Sequence, residues 1–248
     1  MDEPDVAAGL MRLEDLIEPD LHLRVDGTNR ATIVGWGLFF AVVHQVRSVL
    51  ELHRLDACGS GAPNRRSAFE HAVTLRWCAD QGDKIGDIFN RKLRGDQIQL
   101  ANALRAEGSP HRSTDAYQRM VQTVKIVEES IPAEPGERLA KIEHLLDGYG
   151  MLSEKTYYQL ESRFVHPTLT GAQMFFQDNG EAIVLSQIAI HKELVPCHLF
   201  ALSVLHGAML AFNQLLADRP WTADLEKIAQ DFGLTSKMPI SSGGDVRK

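Results

Sequence analysis

From Leu194 to Ala217 the chain runs 24 residues without an Asp, Glu, Lys or Arg. As a helix that stretch would reach about 36 Å, enough to cross a bilayer, so it must either span a membrane or be surrounded by its own protein. His198, His206, Asn213 and Gln214 lie within it, with Pro196 near its start. Polar groups of this kind are costly in hydrocarbon, and the reading is a buried central helix, about Glu193–Ala217, around which other helices pack. The apolar run Ala31–Val43 is shorter than a span and leads straight into His44, Gln45 and Arg47. A cytoplasmic protein with no membrane partner is expected. The N-terminus Met1-Asp-Glu-Pro-Asp5 is acidic where a secretory leader is basic, and three Cys with no CxxC pair suit a reducing compartment. Cys78 and Cys197 sit among apolar residues and are expected to be core thiols.

Helical periodicity dominates the rest. Val6, Leu10, Leu13 and Ile17 recur at helix spacing over Asp5–Glu18, before Pro19. Thr28 or Asn29 is placed to cap a long helix reaching about Leu55, which Cys58-Gly-Ser-Gly-Ala-Pro63 interrupts. Further helices are expected over about Asn64–Asp80, Lys84–Glu107, from a Ser113/Thr114 cap to Pro132, over Pro135–Leu146, over Ser153–His166, and over Thr222–Phe232 before Gly233. Pro167 disfavours helical backbone at His166. Two β-prone runs flank Asn179-Gly180, so a hairpin is expected at about 172–187. The expected fold is all-α: a multi-helix bundle with long central helices and a small β-hairpin insertion. Its parts are an acidic N-terminal segment, 1–27, with a short amphipathic helix, a single bundle domain, 28–233, and a disordered tail, 234–248.

The net charge is −7, against the strongly basic footprint of a non-specific duplex binder. Residues 61–112 nevertheless hold nine basic side chains against six acidic ones, among them Arg65, Arg66, Arg76, Arg91 and Arg94. Such a strip fits a solvated helix surface, with contact to phosphate as the alternative. Helical metal sites favour HxxxH or ExxH, which put two ligands on one face, and neither occurs. A set assembled from His44, His71 and His198 on separate helices stays open, but no metal and no cofactor is expected. HExxH, P-loop, GxGxxG and GxSxG motifs are missing too, which removes the usual support for zinc hydrolase, kinase, Rossmann and α/β-hydrolase chemistry.

Two segments carry the candidate chemistry. In Arg65-Arg-Ser-Ala-Phe-Glu-His71, Arg66 and Glu70 are i, i+4 neighbours, which sets a guanidinium at the edge of a partly apolar face. In Tyr157-Tyr-Gln-Leu-Glu-Ser-Arg-Phe-Val-His-Pro167, Tyr157, Leu160 and Phe164 form the expected buried stripe. Arg163 and His166 share another side at i, i+3. His166 at the helix end is favoured as imidazolium by the free carbonyls and the macrodipole, and beside an Arg it could bind phosphate or protonate a leaving group. As a plain helix cap it would look the same.

A long first helix, a second opening with Arg-x-x-x-Glu (Arg66, Glu70) and a late helix reading Tyr-x-x-Leu-x-x-x-x-Val-His-Pro (Tyr157, Leu160, Val165, His166, Pro167) together resemble uncharacterised bacterial all-helical families. Those families adjoin the HEPN superfamily of nucleotide-binding bundles, and the likeness spans roughly residues 28–217. HEPN relatives include toxin and antiphage ribonucleases that act without metal through an Arg followed by four to six residues and a His. The resemblance therefore implies a homodimer, an RNA or nucleotide partner, and catalytic Arg66, Arg163 and His166 with Glu70, His71 and Tyr157 binding. Arg163 and His166 have only two residues between them, a departure from that spacing. Arg66 and His71 do have it, but on one helix they point about 140° apart. The alternative is a non-enzymatic scaffold, or a module for a protein partner or small ligand, in which the same side chains are architectural. Convergence of Arg66, Tyr157, Arg163 and His166 on an open cleft separates the two.

Overall fold

The computed structural model describes residues 3–17, 30–105, 114–130, 141–180, 182–186 and 195–235. It is an all-α bundle carrying one small hairpin. Its helices are α1 (Glu3–Asp15), α2 (Arg30–Arg54), α3 (Ala62–Gln81), α4 (Lys84–Arg105), α5 (Asp115–Ser130), α6 (Ile142–Gly148), α7 (Leu152–Val165), α8 (Leu169–Gln173), α9 (Cys197–Asn213) and α10 (Thr222–Phe232). A 3-10 turn at Cys58–Gly61 joins α2 to α3, and the hairpin strands are β1 (Phe176–Asp178) and β2 (Ile183–Leu185). The Thr28/Asn29 cap, the Pro135 helix start, the Glu193 start and the tail from 236 onward fall outside the described residues.

Three helices make the centre. α2 turns Ala31, Gly35, Phe39, Val42, Val46 and Val49 inward at three- and four-residue steps, against α3 and α9. Gly35 leaves room for a neighbouring side chain: a Cβ there would stand 2.5 Å from Leu215 Cδ1. Phe39 and Phe212 stack across α2 and α9 with centroids 5.0 Å apart, and Trp221 closes the group at 6.0 Å from Phe212. α9 is the buried helix that the uncharged stretch demanded, although at 17 residues it is shorter than expected. α1 is no appendage: Val6, Leu10 and Leu13 are buried in the same core, with α1 packed on α9 and α10.

Among the described residues α2 alone is long and apolar enough to cross a membrane. The run Ala31–Val43 that looked too short continues through Val46, Val49 and Leu50. Ala31, Phe39, Val42, Val43, Val46 and Val49 on this helix are all core residues here.

The hairpin lies where the Asn-Gly signal put it. Phe176 pairs with Leu185 and Asp178 with Ile183, Gly180 takes the positive φ of 84° that the turn needs, and the Asn179 side chain accepts from the Ala182 N–H. The short helix α8 was not anticipated. Thr168 caps it, its Oγ1 accepting from the Gly171 N–H at 3.1 Å.

Candidate functional site

α3 and α7 lie side by side and bring two distant parts of the chain together. α3 opens with Pro63 in its first turn, where a missing N–H costs nothing, and so presents Arg66 and Glu70 one turn apart. α7 stops at Val165 because Pro167 holds His166 in extended backbone, with ψ at 155°. Thr168 Oγ1 also donates to the Arg163 carbonyl at 2.6 Å, which fixes the corner after α7 and holds His166 at its rim.

Arg66 is the centre of the cluster. Its Nε donates to Glu70 Oε1 at 2.9 Å, its Nη2 donates to the Tyr158 hydroxyl at 3.0 Å, and its Nη1 lies 2.8 Å from His166 Nε2. Tyr158 in turn donates to Glu70 Oε1 at 2.8 Å, and the guanidinium carbon sits 5.1 Å from the Tyr158 ring centre. A guanidinium can only donate, so the contact is a hydrogen bond in the tautomer whose Nε2 accepts. The partner facing His166 is thus a cation, where free helix carbonyls are expected from the sequence. Partial burial works against the Arg66 charge, but the bonds to Glu70 and Tyr158 outweigh it and hold the guanidinium above its ordinary range. Burial first, then the bond to Glu70, raises the Tyr158 hydroxyl. The Arg66 and Glu70 side chains remain 21% and 34% exposed, and His166 is exposed.

The structure thus unites Arg66, Glu70 and His166 but replaces Tyr157 with its neighbour. Tyr158 and Glu161 are the residues α7 buries, one step out of register with the expected Tyr157–Leu160–Phe164 stripe. The cause is electrostatic: Glu161 turns inward to meet Arg65, whose Nε donates to Glu161 Oε2 at 3.1 Å with both side chains at most 2% exposed. Tyr157 packs instead on Phe69 and Phe200, and burial, reinforced by Glu161, pushes its hydroxyl well up. The Arg163 side chain is exposed and is not among the partners of Arg66. His71 is tied to its own helix, Nδ1 donating to the Ser67 carbonyl at 2.6 Å, and does not join Arg66.

Sequence reasoning missed two further arginines by assigning the 61–112 strip to solvent. Arg65 is buried, and so is Arg76, which meets Asp80 at 3.0 Å and donates to Gln214 Oε1 at 2.7 Å. Tyr149 donates to Asp80 at 2.6 Å and lies beneath the Arg76 guanidinium. Arg76-x-x-x-Asp80 has the same spacing as Arg66-x-x-x-Glu70, so the signal was present in the sequence. Burial opposes the Arg65 charge, and the adjacent Glu161 overcomes it, holding the guanidinium above its ordinary range.

Two cavities lie elsewhere. One of about 370 Å³ is lined mainly by apolar groups, including Phe69, Val73, Met151, Val204 and Leu210. The other, an open groove of about 620 Å³ between α1, α2 and the start of α9, takes in Arg47, Glu51, His53 and His198. Comparison with protein-family models, curated proteins and solved structures gives no match.

Proposed function

We propose that the chain binds RNA or a nucleotide through phosphate at the Arg66–His166 pair, and that His166 moves the proton in a metal-independent cleavage of RNA. The observation that carries this is the 2.8 Å contact between Arg66 Nη1 and His166 Nε2, formed at an exposed edge by residues 100 positions apart. An imidazole beside a fixed cation is the pairing such chemistry uses. His166 Nε2 takes the proton of the 2′-hydroxyl, O2′ attacks phosphorus, and the 5′ oxygen leaves with the proton that His166 returns. The products are a 2′,3′-cyclic phosphate and a 5′-hydroxyl end. Arg66 moves only Nη1 onto the phosphate, where it balances the developing charge, while Nε and Nη2 stay on Glu70 and Tyr158. The likeness to the HEPN bundles supports the same reading and adds a homodimer, which sedimentation tests.

A second reading rests on the saturation of Arg66, all three of whose nitrogens are engaged. In it the cluster ties α3 to α7, and the chain is a non-enzymatic binding module that holds an apolar ligand in the 370 Å³ cavity. End-labelled RNA incubated with the protein, with and without EDTA, separates the two. Cleavage that survives EDTA and is lost in His166→Ala and Arg66→Ala of unchanged helicity supports the first. No cleavage across varied RNAs, or cleavage untouched by both substitutions, overturns the first.

A further inference from the structure

Away from Arg66, three donors of metal-binding type meet at the junction of α2, the 3-10 turn and α9. His53 is in the last turn of α2, Cys58 opens the 3-10 turn, and Cys197 is the first residue of α9. One ligand atom from each lies within 4.8 Å of the other two, and His53 Nδ1 is 2.9 Å from Cys58 Sγ. No disulfide joins the cysteines. We propose that His53, Cys58 and Cys197 form a site for a thiophilic divalent ion of the zinc class.

The donor set selects the ion. Two thiolates and an imidazole suit zinc and disfavour magnesium or calcium, which take oxygen. Around one tetrahedral zinc, with Zn–S about 2.3 Å and Zn–N about 2.0 Å, neighbouring donors stand roughly 3.5–3.8 Å apart. His53 Nδ1 and Cys58 Sγ stand closer than that and every pair lies within 4.8 Å, so small side-chain movements admit the ion. Binding converts both thiols to thiolates and releases their two protons to solvent, leaving two negative charges against the two positive charges of the ion.

The surroundings of the Cys197 sulfur suit a thiolate. Arg65 reaches both cysteines from one buried guanidinium: its Nη1 donates to the Cys58 carbonyl at 2.8 Å and points to Cys197 Sγ at 3.9 Å. Cys197 also lies at the N-terminus of α9, where the helix dipole favours an anion. The His198 ring stands edge-on to that of His53 with centroids 4.5 Å apart, and both rings line the open groove. The groove supplies an entry path and a source of water for the fourth tetrahedral position. HxxxH and ExxH spacings do not reveal this site, because its ligands come from three elements and the two cysteines are far apart in the chain.

The test is a cobalt(II) titration of the reduced full-length chain, with zinc content measured by mass spectrometry. One equivalent of cobalt is expected to give a thiolate charge-transfer band and the visible bands of a tetrahedral ion, both erased by zinc, and zinc is expected to raise the melting temperature. Cys58→Ser and His53→Ala should abolish the bands; Cys58 is half-buried, and circular dichroism checks each fold. His166→Ala should keep them, since the site is independent of the Arg66 cluster. A folded wild-type chain that shows no charge-transfer band and no stoichiometric zinc overturns the proposal. Bands that persist unchanged in folded Cys58→Ser overturn it too, as does reduced protein that only forms a Cys58–Cys197 disulfide and takes up no metal.

Discussion

Glu161→Gln tests the buried charge pair between α3 and α7 directly. Arg65 and Glu161 are 1% and 2% exposed, so neither charge is screened by water. Gln keeps the volume and an acceptor but removes the counter-charge, leaving a guanidinium in the core. Breaking such a pair from one side costs about 3–5 kcal/mol. The lower end applies here, because the amide oxygen still accepts from Arg65 Nε and the Cys58 carbonyl still takes Nη1. With a urea slope of about 3 kcal/mol/M, a loss of about 3 kcal/mol lowers the unfolding midpoint by about 1 M. Trp77 and Trp221 are buried and report the transition by fluorescence. Replacing both partners with apolar groups, Arg65→Met with Glu161→Leu, should recover most of the loss, since the penalty comes from the orphaned charge. A midpoint for Glu161→Gln within about 0.3 M of the parent, at unchanged slope, would refute the argument.

Burial lowers the proton affinity of His206, against the opposing pull of the bond from its Nε2 to the Leu225 carbonyl. The unfolded chain therefore binds more protons below about pH 6.5, and stability falls as the pH drops through that value toward the folded pKa, by at most about 1.4 kcal/mol per pH unit. His206→Gln should flatten that slope in urea titrations run from pH 7.5 to about 5; an equally steep slope in the variant would assign it to other groups. Burial pushes the Cys78 thiol up to about 12, so iodoacetamide should label Cys58 first in chelator-treated protein and reach Cys78 only on unfolding, as mass spectrometry of the peptides reads. Phe212→Ala removes the ring stacked on Phe39 and in contact with Trp221; a loss of about 3–5 kcal/mol is expected in urea melts, and one below about 1 kcal/mol would mean that the core refills the space.

The helical architecture was legible because each boundary carries its own chemistry. Gly233 at φ 62° ends α10, Pro167 ends α7, and Asn179-Gly180 turns the hairpin. Arg66, Glu70 and His166 were legible as residue types, since charged groups beside apolar stripes stand out in any helical reading. Their contact was not, because nothing local fixes how α7 is rotated against α3. Both Tyr157 and Tyr158 pack inward, and the rotation goes with Glu161, an acidic residue that the expected apolar stripe did not include. A similar assumption hid Arg65 and Arg76: composition assigns arginines to the surface, whereas a buried guanidinium needs only its own acidic partner, which pairing across elements supplied. His53, Cys58 and Cys197 escaped for a related reason, since their proximity belongs to tertiary structure alone.

The two Arg-x-x-x-acid sets on α3 work as a pair of pins. Ten residues separate Arg66 from Arg76, about 15 Å along the helix and about 80° around it. Each arginine holds a carboxylate on its own helix and meets a tyrosine from another element, Tyr158 at one end and Tyr149 at the other. Together they tie both halves of α3, a helix that already packs on α2 and α9, to neighbouring elements. The Arg76 guanidinium is buried, whereas the Arg66 pair lies nearer to water. A helix held at both ends in this way can lend one nitrogen of its outer arginine to a visitor while the other two keep the fastening closed.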